Sequence, residues 1–315
     1  MGEWIDGREL AQAIQAEVAD EVRRLKEAGI RPGLAVVLVG DNPASVVYVR
    51  NKARTCEALG MLSERAELPA DSSTEAVLEV VGAFNRRPDI HGVLVQVPMP
   101  PQVDARRVLE AILPEKDVDG FHPVNIGRLV AGNAPLKPCT PAGIIEIFRR
   151  RAIPLVGRRA VVIGRSDIVG KPLALMLLHE HATVTVCHSR TRDLPAVARE
   201  ADILVAAIGR AAMVDDTFVK PGAVVIDVGV NRVDSLERIR EIFGEDAGRI
   251  AEHARKGYTL VGDVNAPRVL PKCSLLTPVP GGVGPLTIAM LMANTVRAAR
   301  LCAGMRRGFP GGDLP

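Results

Sequence analysis

Residues 157–187 read GRRAVVIGRSDIVGKPLALMLLHEHATVTVC, and this stretch decides the fold. It contains a Val-rich apolar run, a glycine-containing turn, a run of helix-forming residues and a second apolar run. That order is typical of the strand, turn, helix and strand of a doubly wound nucleotide-binding sheet. Two later apolar runs, at 202–208 and 222–230, repeat the strand pattern. We therefore expect a Rossmann-like domain over residues 146–284.

The residues before this stretch alternate in the same way. The predicted elements are a helix over 8–28 that stops at Gly29, a strand at 34–39, helices near 45–59 and 74–86, and a strand at 90–97. Helices and strands in turn indicate an α/β domain, which we place at residues 1–145.

Three later segments fall outside this alternation. Residues 234–256 are charged and helix-like, with Asp234 and Glu237 in capping-box positions, so we expect a surface excursion there. An apolar helix over about 285–301 has no strand after it. We expect it to pack back on the N-terminal half, so that residues 285–315 complete the first domain. The tail GFPGGDLP at 308–315 is expected to be loose.

Composition limits the classes of function. The 40 basic and 37 acidic residues are mixed along the chain and aromatic residues make up only 3%, which argues against a nucleic-acid partner. No window reaches the roughly 18 apolar residues of a membrane span, so no membrane partner is expected. The five cysteines are widely spaced and the histidines are isolated, so we predict no disulfide framework and no metal site. The chain is expected to be cytoplasmic.

The turn after the first Rossmann strand is a candidate cofactor site. Ser166 stands where the second glycine of G-x-G-x-x-G is usual, and the last glycine comes one residue late. Gly164 still permits a tight turn, and the following helix offers free backbone N–H groups to a phosphate. Gly164, Arg165 and Ser166 are therefore candidate contacts, although the pattern alone also fits an ordinary glycine turn.

The tip of the next strand favours NADP over NAD. An NAD site usually has an acidic residue here for the ribose hydroxyl, but residues 187–192 read CHSRTR, with no acid before Asp193. Ser189 and Arg190, together with Arg165, suit the extra phosphate of NADP through charge-assisted hydrogen bonds. The alternative is a solvated basic loop.

The N-terminal half holds a second candidate constellation. Tyr48 and Lys52 are four residues apart on a predicted helix and so share a face. Gln96 ends the strand at 90–97, where a parallel strand delivers groups that face a ligand. The loop that follows supplies Asp117 and Asp119. Spacing alone leaves a half-buried surface stripe as the alternative for Tyr48 and Lys52.

Nine motifs in series give a specific resemblance. The chain is similar to the bifunctional methylenetetrahydrofolate dehydrogenase–cyclohydrolase family in these strings, which follow the order of that family: YVRNKARTCEALGM, GVLVQVPMP, PEKDVDGFHPVNIGRL, PCTPAG, VVIGRSDIVGKPLA, TVTVCHS, VVIDVGVNR, VGDV and TPVPGGVGPLTIAML. They span nearly the whole chain. The resemblance implies NADP-dependent oxidation of 5,10-methylenetetrahydrofolate, then hydrolysis to 10-formyltetrahydrofolate, by a homodimer paired through the cofactor domain.

The resemblance also implies roles for particular residues. Lys52 would be the central acid–base group, with Tyr48 beside it along the substrate and Gln96 hydrogen-bonded to the lysine. Asp119 would hold the pterin edge. Apart from the resemblance, we expect Asp117 to hold its own loop. Pro280, Gly281 and Gly284 would line the substrate site, and Val230 would contact the cofactor.

The chain departs from the family in two places. Leu286 stands where methionine is commoner, a swap that preserves volume. The segment DSLERIREIFGEDAGRIAEHARKG at 234–257 replaces a shorter connection, and its role is open. The alternatives are an NADP-dependent dehydrogenase of another small substrate, such as a shikimate-type hydroxy acid, a family member without the cyclohydrolase step, and a non-catalytic NADP-binding protein.

Overall fold

In the computed structural model, which describes residues 2–304, strands and helices alternate along the chain. The strands are β1 Glu3–Trp4, β2 Gly33–Val39, β3 Leu62–Leu68, β4 Gly92–Val95, β5 Arg159–Ile163, β6 Thr183–Cys187, β7 Ile203–Ala206, β8 Val224–Asp227, β9 Asn231–Val233, β10 Thr259–Val261 and β11 Leu275–Leu276. The helices are α1 Gly7–Glu27, α2 Pro43–Ala58, α3 Thr74–Arg86, α4 Ala105–Glu110, α5 Pro123–Val130, α6 Cys139–Arg150, α7 Gly170–His179, α8 Leu194–Ala198, α9 Leu236–Phe243, α10 Ala247–Lys256, α11 Ala266–Val269 and α12 Val283–Cys302, with a 3-10 turn at Asp216–Phe218.

The chain divides into two compact units. One consists of Met1–Leu10 and Gly143–Leu286, and we call it the six-stranded unit. The other consists of Ala11–Ala142 and Thr287–Pro315, and we call it the three-stranded unit.

The six-stranded unit contains a parallel sheet in the order β1-β11-β8-β7-β5-β6. Strand β5 lies between β6 and β7, so the chain winds away from it in both directions, as in a doubly wound sheet. The buried core on this sheet is made of short aliphatic residues from the strands, among them Val161, Leu204 and Val225. The expected Rossmann-like architecture is confirmed.

The segment after β8 forms a separate layer in the same unit. Strands β9 and β10 pair antiparallel, and α9 buries Ile239 and Ile242 in a small apolar cluster with Val233 and Val261. The expected helical excursion is confirmed, but its predicted cap is wrong. Ser235, not Asp234, caps α9, because its hydroxyl accepts the N–H of Arg238 at 3.1 Å.

The three-stranded unit contains a parallel sheet in the order β3-β2-β4. Every residue of the central strand β2 is buried. Helix α3 begins after Ser73, whose side chain accepts the N–H of Ala76, and its Val77, Val81 and Phe84 pack into the same apolar cluster as the sheet. Strand β3 was not predicted, because LSERAEL carries charged residues and lies half exposed at the sheet edge.

The C-terminal helix returns to the N-terminal half, as expected. From Thr287 onward α12 belongs to the three-stranded unit. Arg300 on this helix pairs with Glu21 of α1 at 3.8 Å, and both side chains are buried. The tail GFPGGDLP lies outside the described residues. Among residues 2–304, no helix is long and apolar enough to cross a membrane.

Candidate active site

Lys52 and Gln96 meet in the three-stranded unit. Lys52 is 8% exposed on α2, and its Nζ donates to Gln96 Oε1 at 3.0 Å. Gln96 follows β4, and its backbone N–H continues the sheet by bonding the Val37 carbonyl at 2.9 Å. The side-chain Nε2 donates to the Val97 carbonyl at 2.6 Å, which turns the amide oxygen toward the lysine.

Tyr48 lies one turn before Lys52 on α2. Its ring is 41% exposed, so a large apolar and hydrogen-bonding surface is open to a ligand. Partial burial raises the pKa of the Tyr48 phenol, which keeps the hydroxyl protonated and able to donate.

Asp117 holds its own loop, as the sequence suggested. Its carboxylate accepts the backbone N–H groups of Gly120, Phe121 and His122 and the side-chain N–H of Asn125, at 2.8–3.2 Å. The carboxylate is buried and fully used in these bonds. Gly120 has φ +80°, and a Cβ there would lie 2.5 Å from the backbone of Pro138, so only glycine suits the turn.

Asp119 lies beyond the Asp117 turn and near Lys52. Burial raises the pKa of the Asp119 carboxyl, the charge of Lys52 opposes that rise, and the charge of Asp117 adds to it. The charges of Asp119 and Lys52 therefore interact in the folded chain. Lys52 and Asp119 are 67 positions apart along the chain, so no spacing pattern indicated this interaction.

Asn294 of α12 supports this loop, and sequence reasoning missed it. Its Nδ2 donates to the carbonyls of Val118 and Lys137, each at 2.8 Å, and lies 3.5 Å from Cys139 Sγ. The Cys139 thiol donates to the Val118 carbonyl at 3.1 Å, and burial raises its pKa well above the ordinary value. The available signal was an asparagine inside an otherwise apolar helix, because a buried amide requires partners.

The glycine turn of the six-stranded unit is closely packed. Gly164 has φ +133°, and a Cβ there would lie 2.1 Å from the Ala207 carbonyl oxygen. A Cβ on Gly170 would lie 2.2 Å from the Gly164 oxygen. The Ser166 hydroxyl accepts the N–H groups of Val169 and Gly170 at 3.2 and 3.3 Å and so shapes the turn at the start of α7.

The predicted cofactor residues follow neighbouring strands. Arg165 and Ser166 follow β5, and Ser189 and Arg190 follow β6, with which β5 pairs in register. All four are exposed, and they lie at the carboxyl ends of two adjacent parallel strands. This is the edge at which nucleotide-binding sheets bind their ligands.

Two buried acids organise the loops after β7 and β8, and sequence reasoning missed both. Asp227 accepts the N–H groups of Gly229, Asp263 and Val264 at 2.9–3.0 Å. Asp263 accepts three N–H groups of the loop after β7 at 2.6–3.0 Å, from Ile208, Gly209 and Arg210. Val230 lies 45% exposed in the loop that Asp227 holds.

The glycine-rich motif before α12 is held open. Gly281 has φ +110°, and its carbonyl accepts the N–H of Gly7 at 3.0 Å. Pro280 and Gly284 are exposed, and a Cβ on Gly284 would meet nothing within 4 Å. Gly284 is therefore open to solvent, whereas a Cβ on Gly281 would lie 3.2 Å from the Arg8 side chain.

Comparison with known proteins shows the family to which the chain belongs. Residues 5–119 match the tetrahydrofolate dehydrogenase/cyclohydrolase catalytic domain, and residues 138–303 match the NAD(P)-binding domain of the same family. The chain belongs to the tetrahydrofolate dehydrogenase/cyclohydrolase family. The predicted resemblance is confirmed.

Relatives of the family align over almost the whole chain. The bifunctional protein FolD of Koribacter versatilis is 56% identical over 95% of this chain and 97% of its own. The FolD structure from Campylobacter jejuni is 41% identical, with a TM-score of 0.86 over 96% of this chain and 99% of that one. The Trypanosoma brucei FolD, in complex with NADP and an inhibitor, is 38% identical with the same TM-score over 97% and 99% of the two chains.

Proposed function

We propose that this chain oxidises 5,10-methylenetetrahydrofolate with NADP and then hydrolyses the methenyl product to 10-formyltetrahydrofolate. The observation that carries the proposal is the Lys52–Gln96 hydrogen bond beside Asp119, inside a chain of this family. A dehydrogenase that has a nucleotide-binding fold but acts on another substrate does not require Lys52, Gln96 and Asp119 together. The bifunctional relatives support both steps.

The cofactor side fits NADP. Gly164, where a Cβ would lie 2.1 Å from the Ala207 carbonyl oxygen, keeps the turn tight, so the backbone can approach a pyrophosphate there. Arg165, Ser189 and Arg190 are proposed to bind the extra phosphate, and Gly164, Ser166 and Val230 the rest of the dinucleotide. NADP, when bound, supplies the hydride acceptor. The exposed guanidinium groups favour its phosphate over the bare ribose of NAD.

The folate side is proposed to consist of Tyr48, Lys52, Asp119, Pro280, Gly281 and Gly284. The Asp119 carboxylate accepts two N–H groups of the aminopyrimidine edge. Tyr48 packs along the ring system with its open face, and its hydroxyl stays protonated as a donor. The glycines admit the flat pterin to the backbone.

Hydrolysis is proposed to depend on Lys52. Water adds to the methenyl carbon and loses one proton, which gives a neutral carbinolamine. Its hydroxyl then loses the second proton as the formyl C=O forms, the bond from that carbon to N5 breaks, and N5 takes up a proton. Lys52 moves these protons. Gln96 orients the amine through a neutral oxygen, so it does not hold the lysine in a salt bridge as a carboxylate would.

Replacement of Lys52 by methionine tests this role. Lys52→Met keeps the length of the side chain and removes the amine, so hydrolysis of 5,10-methenyltetrahydrofolate is expected to be abolished while NADP binding persists. Lys26→Met, at an exposed position of α1, is the control. Intact hydrolysis in Lys52→Met refutes the assignment.

We propose that two copies pair through the cofactor domain, at the β6 edge of the six-stranded sheet. Val186 on β6 is 39% exposed and Leu178 on the adjoining α7 is 56% exposed, an apolar surface beside an open strand edge. Light scattering is expected to give twice the chain mass, and Val186→Lys to give the monomer. A monomeric unmodified protein contradicts the pairing.

We propose a functional division at residues 1–145 with 285–315 for folate chemistry and 146–284 for the cofactor. We also propose a cytoplasmic location, which the four buried free cysteines of the described chain support. Recovery of the native enzyme in the cytoplasmic fraction tests the location, and recovery elsewhere contradicts it.

A further inference from the structure

The segment 234–257 reaches the backbone of the glycine-rich motif through one side chain. Arg249 on α10 donates from Nη2 to the carbonyl of Val279 at 2.7 Å. Val279 immediately precedes Pro280 and Gly281. The contact therefore joins the segment that departs from the family pattern to the loop proposed to bind folate.

Arg249 is itself fixed on several sides. Its Nη1 donates to the Leu260 carbonyl at 2.5 Å and to the Thr259 hydroxyl at 3.2 Å. The guanidinium lies over the Phe243 ring, 4.6 Å from its centroid. Asp246 caps α10 by accepting the Arg249 backbone N–H at 2.8 Å. A half-buried guanidinium with this many partners is a rigid donor.

The layer that carries Arg249 is anchored in the six-stranded unit. Ile239 and Ile242 of α9 are buried against Val233 and Val261 of the β9–β10 pair. Helix α10 is further tied to β10 by the Thr259 hydroxyl, which donates to Glu252 at 2.5 Å. The apolar cluster holds α9, and the polar contacts to β10 hold α10, from which Arg249 reaches the Val279 carbonyl.

The loop at 277–281 has fixed ends and an exposed centre. The Thr277 hydroxyl accepts the Asp227 N–H at 2.7 Å, and the Gly281 carbonyl accepts the Gly7 N–H at 3.0 Å. Between these anchors Pro280 is exposed. Arg249 holds the Val279 carbonyl between the two anchors, which sets the direction in which Pro280 and Gly281 face.

We propose that Arg249 is a positioning residue for the folate loop and that the segment 234–257 acts as its support. This inference rests on the proposed folate role of Pro280 and Gly281. Helices α9 and α10 of this segment then affect the affinity for folate and not the rate of the chemical step.

The test is hydrolysis of 5,10-methenyltetrahydrofolate without NADP, measured on the full chain. Arg249→Met keeps most of the alkyl stem and removes the guanidinium with its donors. The KM for the folate is expected to rise about tenfold, the loss of one charged hydrogen bond, with kcat changed far less. The dissociation constant for NADP, measured by fluorescence, is expected to stay within about twofold.

Two control variants separate positioning from general packing. Glu252→Ala removes another contact between α10 and β10 and leaves the hydrogen bond from Arg249 to Val279 in place, and Arg240→Ala removes an exposed arginine of the neighbouring helix α9. Both are expected to keep the folate KM within about twofold of the unmodified protein.

Each other outcome overturns the inference. An unchanged KM in Arg249→Met, an equal rise in Glu252→Ala, or a parallel loss of NADP affinity contradicts a specific hold on the loop. If Arg249→Met does not fold, Arg249→Lys is the test, because lysine keeps the charge and the alkyl stem but lacks the paired guanidinium donors. A normal KM for the folate in Arg249→Lys then contradicts the inference. Absence of hydrolysis in the unmodified protein instead refutes the proposed function.

Discussion

Lys52 donates to Gln96 across 3.0 Å, while the other end of the Gln96 amide is fixed on the carbonyl of its own neighbour, Val97. The amide can therefore present only its oxygen to the lysine. A neutral acceptor in this position orients the amine and leaves its proton free to move.

Gln96→Glu replaces that neutral acceptor with a carboxylate. The resulting salt bridge disfavours release of the lysine proton, so hydrolysis of the methenyl substrate is expected to fall about 100-fold. Gln102→Glu, whose amide bonds the carbonyls of Ala70 and Ser72, is the matched control. A Gln96→Glu enzyme that hydrolyses at the normal rate argues against the role of the pair.

Asp119 predicts a pH dependence of folate binding. Burial raises the pKa of Asp119, so as pH falls this residue takes up a proton at a higher pH than an ordinary aspartate, whose pKa is about 3.9. The protonated acid lacks the carboxylate that the aminopyrimidine requires. The KM for folate is expected to rise on acidification and that for NADP to stay level. Asp119→Asn should bind folate weakly at every pH and lack this acidic limb.

The same shift has a consequence for stability. Because the pKa of Asp119 is raised on folding, the folded chain binds this proton more tightly than the unfolded chain does. The contribution to stability is therefore fully present below the unfolded pKa and is lost as pH rises through the folded pKa. Asp119→Asn is therefore expected to be less sensitive to rising pH in urea unfolding. The exposed Asp71→Asn should behave as the unmodified protein does. Identical pH profiles for all three proteins contradict the shift.

Asn294→Ala tests the support of the Asp119 loop. It removes the hydrogen bonds that the Asn294 amide donates to the carbonyls of Val118 and Lys137, which is expected to lower the free energy of unfolding by about 1–3 kcal/mol. The folate KM should rise as the loop loosens. Urea unfolding measures the first effect, with Asn133→Ala at an exposed turn as control. Equal stability of the two variants contradicts the account.

Arg190→Ala tests the preference for NADP. Loss of one exposed charged contact to the phosphate is expected to raise the KM for NADP about tenfold and leave that for NAD unchanged. Arg199→Ala, an exposed arginine that donates to the Thr217 carbonyl, is the control. A similar change for both dinucleotides shows that Arg190 does not read the phosphate.

The sequence predicted the elements whose residues carry a strong pattern. Strand β2 is a continuous apolar run and is buried throughout, and α3 was predicted with its observed bounds, 74–86. The strand expected over 90–97 is shorter, Gly92–Val95, and Gln96 follows it directly. The two-residue strands β1 and β11 are too short for any periodicity and depend on tertiary pairing.

The site was predictable where a residue acts locally. Asp117 could be assigned to its loop because its partners lie within eight positions along the chain. The supports Asn294, Asp263 and Arg249 act on backbone groups distant in sequence, as when Asn294 reaches Val118. Such contacts leave no spacing rule in the sequence, and only the folded chain reveals them.

The most direct test of the central claim is an assay with 5,10-methylenetetrahydrofolate and NADP that follows NADPH directly and methenyl product after acid quenching. We expect NADPH to form while free methenyl product stays low, because hydrolysis follows oxidation. Accumulating methenyl product contradicts the second activity, and no reduction with either NADP or NAD contradicts the account as a whole.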